Sequence, residues 1–354
     1  MTNRPRRSVH LVGSVPLANA ADVFRMVTDT VGADTRRLPD GETGPRRNWI
    51  NFQYALLTQH PQLEFAGPPI DPATVVEEHG GAGGDYAPPT PLRLRAGVAP
   101  SELRIENLGY AAAALESYAL FAELKRRGKI RRDVRCLLAL PTPLAPIALF
   151  VVPAQMFDVL PAYSAALLAE IKTILAAVPP EELALQWDVA VEFGLWEGLF
   201  PPPPGDWKPA LLAQLAALGN AIPWPVELGY HLCYGDRGHR HFFEPTDLGN
   251  LVEVANGIAA RLARPLHWVH MPVPRARNDR EYFAPLARLV LPTSAELVLG
   301  LVHHTDGVVG TRARIAAAEH FRRDFGIAAE CGLGRRDPAT IEAFLRMHVE
   351  AAGV

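Results

Sequence analysis

Two short segments of this chain carry soft metal ligands. His231-Leu232-Cys233 sets an imidazole and a thiol two residues apart, and Cys331 opens a second segment, Cys331-Gly332-Leu333. Residues two apart on a strand point to the same side. Imidazole with thiolate suits zinc, which keeps an open position when it is catalytic. A lone His-x-Cys pair is more often structural than metal-binding. Here two of the chain's 3 cysteines end strand-like runs, which favours a shared site. Cys136 differs: it sits inside Cys136-Leu137-Leu138-Ala139-Leu140 and reads as a buried strand residue.

The same inspection of strand ends collects further chemistry: Ser14, Glu42, Thr142, Asp188, His270, and His303 beside His304. Glu42 and Asp188 are either site carboxylates or solvated loop charges. Arg46 and Arg47 can pair with Glu42 or receive an anionic substrate group. One imidazole of His303-His304 must face the strand ends, where it can serve as a general acid. His270 is a ligand, a substrate contact or a packed core residue. His239-Arg240-His241 has the look of a metal cluster, but its loop setting reads as solvated.

The elements that position these residues alternate along the chain. Apolar strand-like runs fall at 8–13, 35–39, 133–140, 183–189, 226–232, 266–271, 296–302 and 326–330. The run at 35–39 is the polar exception. Helical periodicity covers 21–31, 110–127, 154–177, 208–218, 248–262, 312–324 and 338–349. Alternating strand and helix implies a parallel sheet, and eight such units fit an α/β chain folded as one (β/α)8 TIM barrel over 1–354. Such barrels need only about 250 residues. The surplus falls in 60–108, rich in Pro and Gly, which is expected to be an insertion between the second and third strands. The site of such a barrel lies at the C-terminal ends of its strands, where the residues above are found. Gly13-Ser14-Val15-Pro16 is not the Gly-rich phosphate loop of a dinucleotide-binding open sheet.

Composition narrows the classes. Of 354 residues 49% are hydrophobic and 21% charged, enough to bury a large core. Lys and Arg total 35 against 38 Asp and Glu, a net charge of -3, so no basic excess points to nucleic acid. The basic stretch 1–7 precedes an apolar run too short for a secretory signal. No run reads as the ~20 residues of a membrane span. Three cysteines make no disulfide scaffold. The expectation is a cytoplasmic protein acting on small molecules.

Five segments, taken in order, resemble the C-terminal catalytic domain of cobalamin-independent methionine synthase, within the wider uroporphyrinogen decarboxylase/methionine synthase-like barrels. They are Val12-Gly13-Ser14-Val15-Pro16, Gly41-Glu42 with Arg46, Gln186-Trp187-Asp188, His231-Leu232-Cys233-Tyr234, and Cys331-Gly332-Leu333 with Arg335 and Arg336. The resemblance implies Zn2+ held by His231, Cys233 and Cys331. It implies an amino-acid thiol held by Ser14, Glu42 and Asp188; the strand-end residue Thr142 and the cation Arg46 are expected as further substrate contacts. His303 or His304 falls near the family's proton donor, and Asp188 adjoins the chemistry. The activity implied is alkyl transfer, most often methyl transfer, to a thiol that zinc ionises; a free thiol, with a pKa of about 8.5, is mostly protonated at neutral pH.

This chain departs from that family twice. The family's glutamate ligand comes from the strand after His-x-Cys, and 266–271 has no Glu. Either His270 replaces it, or water, substrate or a loop residue such as Glu244 fills the position. The chain also has room for one barrel only, so a folate donor, which the family binds with a second barrel, is in doubt. Smaller relatives use other alkyl carriers or add a thiol to an epoxide. Two further readings stay open: a metal-free decarboxylase-like lyase, which has no need of the two cysteines, and a non-catalytic binding barrel.

Overall fold

The computed structural model describes residues 6–77, 89–199, 201–203, 205–236 and 240–353. Its strands in chain order are β1 (Arg37–Pro39), β2 (Leu63–Phe65), β3 (Leu92–Leu94), β4 (Arg135–Pro141), β5 (Leu183–Val189), β6 (Glu227–Leu232), β7 (Trp268–Pro272), β8 (Glu296–Val302) and β9 (Gly326–Ala329). The helices are α1 (Ala20–Val31), α2 (Asn51–Thr58), α3 (Pro72–Glu77), α4 (Tyr110–Arg126), α5 (Leu144–Phe150), α6 (Met156–Ala177), α7 (Val191–Trp196), α8 (Trp207–Asn220), α9 (Gly249–Ala259), α10 (Arg280–Phe283), α11 (Gly307–Ala318) and α12 (Ile341–Ala352).

Seven strands form one parallel, curled sheet in the order β1-β4-β5-β6-β7-β8-β9. The run at 8–13 makes only single bridges, Val9 to Ile327 of β9, and Ser14, just beyond it, to Gly41 after β1. His10 N–H donates to the Ile327 carbonyl and Val15 N–H to that of Gly41, both at 2.9 Å. The segment therefore lies between the two edge strands, as in a TIM-like barrel. β2 and β3 pair antiparallel in a separate small sheet, with Leu63, Leu92 and Leu94 buried. The Gly-rich stretch at 80–84 lies outside the described residues.

Local sequence explains the helices. Asn19 caps α1 by accepting from Asp22 N–H, and the buried residues Val23, Phe24, Val27 and Val31 recur at helical spacing. Burial of each such side chain is worth about 1.5–3 kcal/mol. The helix expected at 312–324 instead starts at Gly307, behind Asp306, and ends at Ala318. Pro153–Ala177 is long and apolar enough to cross a membrane by length and composition alone, so the expectation that no run reaches span length is corrected. In the fold that helix packs on α4 and α5 and buries one face, with Val159, Tyr163, Leu167, Ile171 and Ile174 buried.

The barrel interior is layered. At the bottom Leu137, Ala184, Trp268, Val298 and Ala328 pack together. Trp268 fits because β6 has no side chain at Gly229: a Cβ there would lie 1.9 Å from the indole. Arg37 plugs the lower end. It pairs with Glu227 at 2.6 Å and Glu296 at 3.2 Å, and its guanidinium lies 4.0 Å from the centre of the Trp268 ring. Above this layer β5, β6 and β7 turn Gln186, His231 and His270 inward, all buried.

Candidate metal centre and active site

His231 and His270 are register partners on β6 and β7. Cys233 continues the ladder just past β6, its N–H donating to the Val189 carbonyl at 2.9 Å. Cys331 follows β9. The ligand atoms of His231, Cys233 and Cys331 lie within 4.8 Å of one another: the sulfurs are 3.5 Å apart, and Cys331 Sγ is 3.7 Å from His231 Nε2. Gly235 N–H also donates to Cys233 Sγ at 3.2 Å. The bond from Cys331 holds the Cys233 thiol well below its ordinary range and outweighs burial, while Cys331 is pushed up by the same bond. Burial works against protonation of His231, but the Cys233 thiolate outweighs it and raises the imidazole. Two thiols and an imidazole gathered in a buried space fit a soft divalent ion such as zinc.

Ser14 braces the loop that carries Cys331. Its Oγ accepts from Gly334 N–H at 3.2 Å and its carbonyl from Leu333 N–H at 2.7 Å. A Cβ on Gly332 would meet that Oγ at 2.2 Å, so the close approach requires glycine.

An acidic pocket adjoins the thiols. Glu42 adopts φ 50, rare for a side-chain-bearing residue, and its N–H is held by Asp40 at 2.9 Å. Its carboxylate lies against Gly13, where a Cβ would come within 2.2 Å. Burial, then the neighbouring Asp188, push Glu42 up to about 8. Burial likewise pushes Asp188 up to about 7, against bonds from Gln186 and the Trp49 indole. Gln186 fixes that carboxylate from below: its amide donates to Asp188 at 3.0 Å and to the Val12 carbonyl at 2.6 Å, and accepts from His10 at 3.0 Å and Trp268 at 3.2 Å.

The raised pKa of Glu42 has a signed consequence. The folded chain keeps a proton that the unfolded chain releases between the ordinary value, 4.5, and about 8. Stability from this group is present below the lower value and is lost as pH rises through the upper one. Glu42→Gln is therefore expected to gain on the wild type between pH 5 and pH 8. Urea unfolding of both chains at the two pH values checks this; an offset independent of pH would overturn it.

Other expected contacts are rearranged by the fold. Arg46 pairs with Asp40 at 2.7 Å rather than with Glu42, and Asp40 also accepts from Ser117 at 2.8 Å. That partly buried pairing leaves Arg46 less available to an anion. Thr142 is buried and its hydroxyl is committed to Glu192. His303 and His304 separate: His303 is buried, donates to the Val273 carbonyl at 2.8 Å and faces Glu330 at 3.5 Å. His304 is exposed, with its ring near Phe344, so of the two only His303 is buried at this strand end. His270, offered as a fourth ligand, directs Nδ1 to His231 at 2.6 Å and Nε2 to the Ala329 carbonyl at 3.1 Å. Neither nitrogen is aimed at the sulfurs.

The histidine loop is not solvated throughout. His239 lies outside the described residues and Arg240 is exposed. His241 buries its ring between Glu244, 3.6 Å away, and Glu330, 3.4 Å away. Burial disfavours the Glu330 charge, but His241 and His303 outweigh it and hold the carboxyl well below its ordinary range. An open cavity of about 590 Å³ is walled by Asn19, Thr43, Arg46, Phe52, Glu116 and Leu120 among others, and neither Glu42 nor Asp188 lines it.

No family model and no curated protein sequence matches the chain. Solved structures do. A B12-independent methionine synthase from Shewanella sp. W3-18-1, in complex with selenomethionine, superposes with a TM-score of 0.58 at 15% identity, over 99% of this chain and 97% of that one. The chain has the fold of the B12-independent methionine synthases. A Listeria monocytogenes protein described as a candidate vitamin-B12 independent methionine synthase agrees, with a TM-score of 0.54 at 14% identity, covering 98% of both chains.

Within this methionine synthase fold, the sequence patterns did not single out Asp40, Trp49, Glu192, Asp236 or Glu330, and the reading of His241 as solvated is corrected by its buried ring. Asp236 is buried and burial pushes it up to about 7, with Glu330 adding to the effect. Asp236 and Glu330 stand within a few residues of Cys233 and Cys331, a signal that was available. Trp49 follows a 3-10 turn with φ 55, and no spacing rule marks it.

Proposed function

We propose that this chain is a zinc-dependent thiol alkyltransferase, with methyl transfer the leading form. The observation that supports it most is the convergence of His231 with Cys233 and Cys331 beside two buried carboxylates. Zinc bound by these three residues would supply the Lewis acidity that ionises a substrate thiol at neutral pH. The chain's own groups do the rest. Glu42 and Asp188 share a desolvated pocket in which neither ionises easily alone. A substrate ammonium placed between them lets both become carboxylates, so the pocket selects a cationic amino-acid end. Gln186 and Trp49 hold Asp188 in place, and Ser14 holds the loop of Cys331. His303, buried between the Val273 carbonyl and Glu330, is the group we assign to hold a proton for the leaving group.

We read the chain as one (β/α)8 domain with 60–108 as its insertion, working in the cytoplasm, where its three free cysteines stay reduced.

Two measurements test the reading. Elemental analysis of purified protein is expected to give about one zinc per chain, the capacity of a single three-residue site. Calorimetry is expected to show an amino-acid thiol such as homocysteine binding, with Glu42→Gln and Asp188→Asn each weakening it about tenfold while zinc is retained. Protein without zinc would overturn the reading. Zinc lost from either carboxylate variant would make that residue a ligand instead.

A further inference from the structure

We propose that His270 is a positioning residue rather than a metal ligand: through two hydrogen bonds it aims His231 Nε2 at the two cysteine sulfurs. This rests on the zinc reading above and deepens it by naming what stands in the fourth direction.

The assignment follows from donors and acceptors. The Ala329 carbonyl, 3.1 Å from His270 Nε2, can only accept, so that nitrogen carries the proton. His270 Nδ1 is then the acceptor in its bond of 2.6 Å with His231 Nδ1. His231 must therefore donate from Nδ1, and its Nε2, 3.7 Å from Cys331 Sγ, is the nitrogen left to face a metal. Direct ligation by His270 would break the bond to His231 and strand a buried N–H. Turning the ring over would strand the Ala329 carbonyl instead. Packing opposes both, because His270 is fully buried, with the His231 ring centre 4.7 Å away and that of His10 6.2 Å away.

The arrangement is one in which a ligand's other ring nitrogen is held by an outer partner. Its unusual feature is that the partner is a second imidazole, itself fixed by a backbone carbonyl on β9, the strand that leads directly into Cys331. A shift of Ala329 would thus reach His231 and Cys331 together. Among the described residues only three converge as ligands, which leaves the fourth position to the incoming thiol.

The test uses the full chain with zinc alone as the probe, by competition against a chromophoric chelator. Gln at 270 can accept from His231 and donate to Ala329, so His270→Gln is expected to bind zinc within about threefold of wild type. His270→Leu removes the acceptor and is expected to bind about 10–100-fold more weakly. X-ray absorption of the zinc-loaded wild type should show one imidazole and two sulfurs. Two imidazoles, or His270→Gln as weak as His270→Leu, would overturn the proposal and leave the metal reading standing. A wild type that takes no zinc overturns both. Should His270→Leu fail to fold, side-chain nitrogen-15 spectra of metal-free wild type decide. His270 protonated on Nε2 and accepting at Nδ1 supports the proposal; protonation on Nδ1 overturns it.

Discussion

Cys331→Ser is expected to lower zinc affinity by more than about 100-fold, beyond the range that outer partners command, with the fold intact. The variant keeps the volume and the loop but exchanges a soft sulfur for a hydroxyl that stays protonated and binds zinc poorly. It also removes the bond that holds the Cys233 thiol below its ordinary range. The remaining pair, His231 and Cys233, lies on one strand end and cannot enclose an ion alone. Cys331 is only half-buried and its loop is braced independently by Ser14, so circular dichroism and the urea midpoint should stay near wild type. Cys136→Ser is the matched control: that thiol is buried inside β4 among Leu137 and Leu138, and its zinc content should equal wild type. Equal zinc in Cys331→Ser and wild type would sink the metal assignment.

The second large effect concerns stability. Arg37→Met is expected to cost about 3–5 kcal/mol, the range for breaking a buried ion pair from one side. Arg37 is 5% exposed and its partners Glu227 and Glu296 are 21% and 16% exposed. Ser8 also donates to Glu296, and Arg135 lies 3.3 Å from Glu227. Without the guanidinium, two carboxylates at the bottom of the barrel keep their desolvation and lose most of their compensation, and the Trp268 face loses its cation. Combining Arg37→Met with Glu227→Gln and Glu296→Gln removes those orphaned charges, so the triple variant is expected to be more stable than Arg37→Met alone. Urea unfolding at pH 7 compares the three chains. A cost below about 1 kcal/mol for Arg37→Met, the range of exposed pairs, would show that water reaches this network.

Strand ends were legible because β5 and β8 are continuous apolar runs: 183–189 and 296–302 were read with the bounds the structure has. Parallel strands covered on both faces must look this way, since each side chain meets either the barrel interior or a helix. The polar run at 35–39 obeys the same rule in disguise, because its Arg37 points into the lower end of the barrel and is neutralised there by two distant glutamates. The short helices α2, α5 and α7 escaped notice, each being too short to show a helical period.

The sequence by itself determined the α/β alternation, the ends of most strands and the residue types at those ends, among them His231, Cys233, Cys331, Glu42 and Asp188. Those follow from local pattern, since a strand's apolar run and the residue after it are neighbours in the chain. Which atoms face one another was decided only by the tertiary structure. The curl of the sheet brings residue 331 to residue 233 and sets His270 against His231 and Ala329. Such pairings depend on register between strands far apart in sequence, and a shift of one residue would exchange the inward and outward faces. The roles of His241 and Glu330 belong to the same class, because each acquires its charge environment from a partner about ninety residues away.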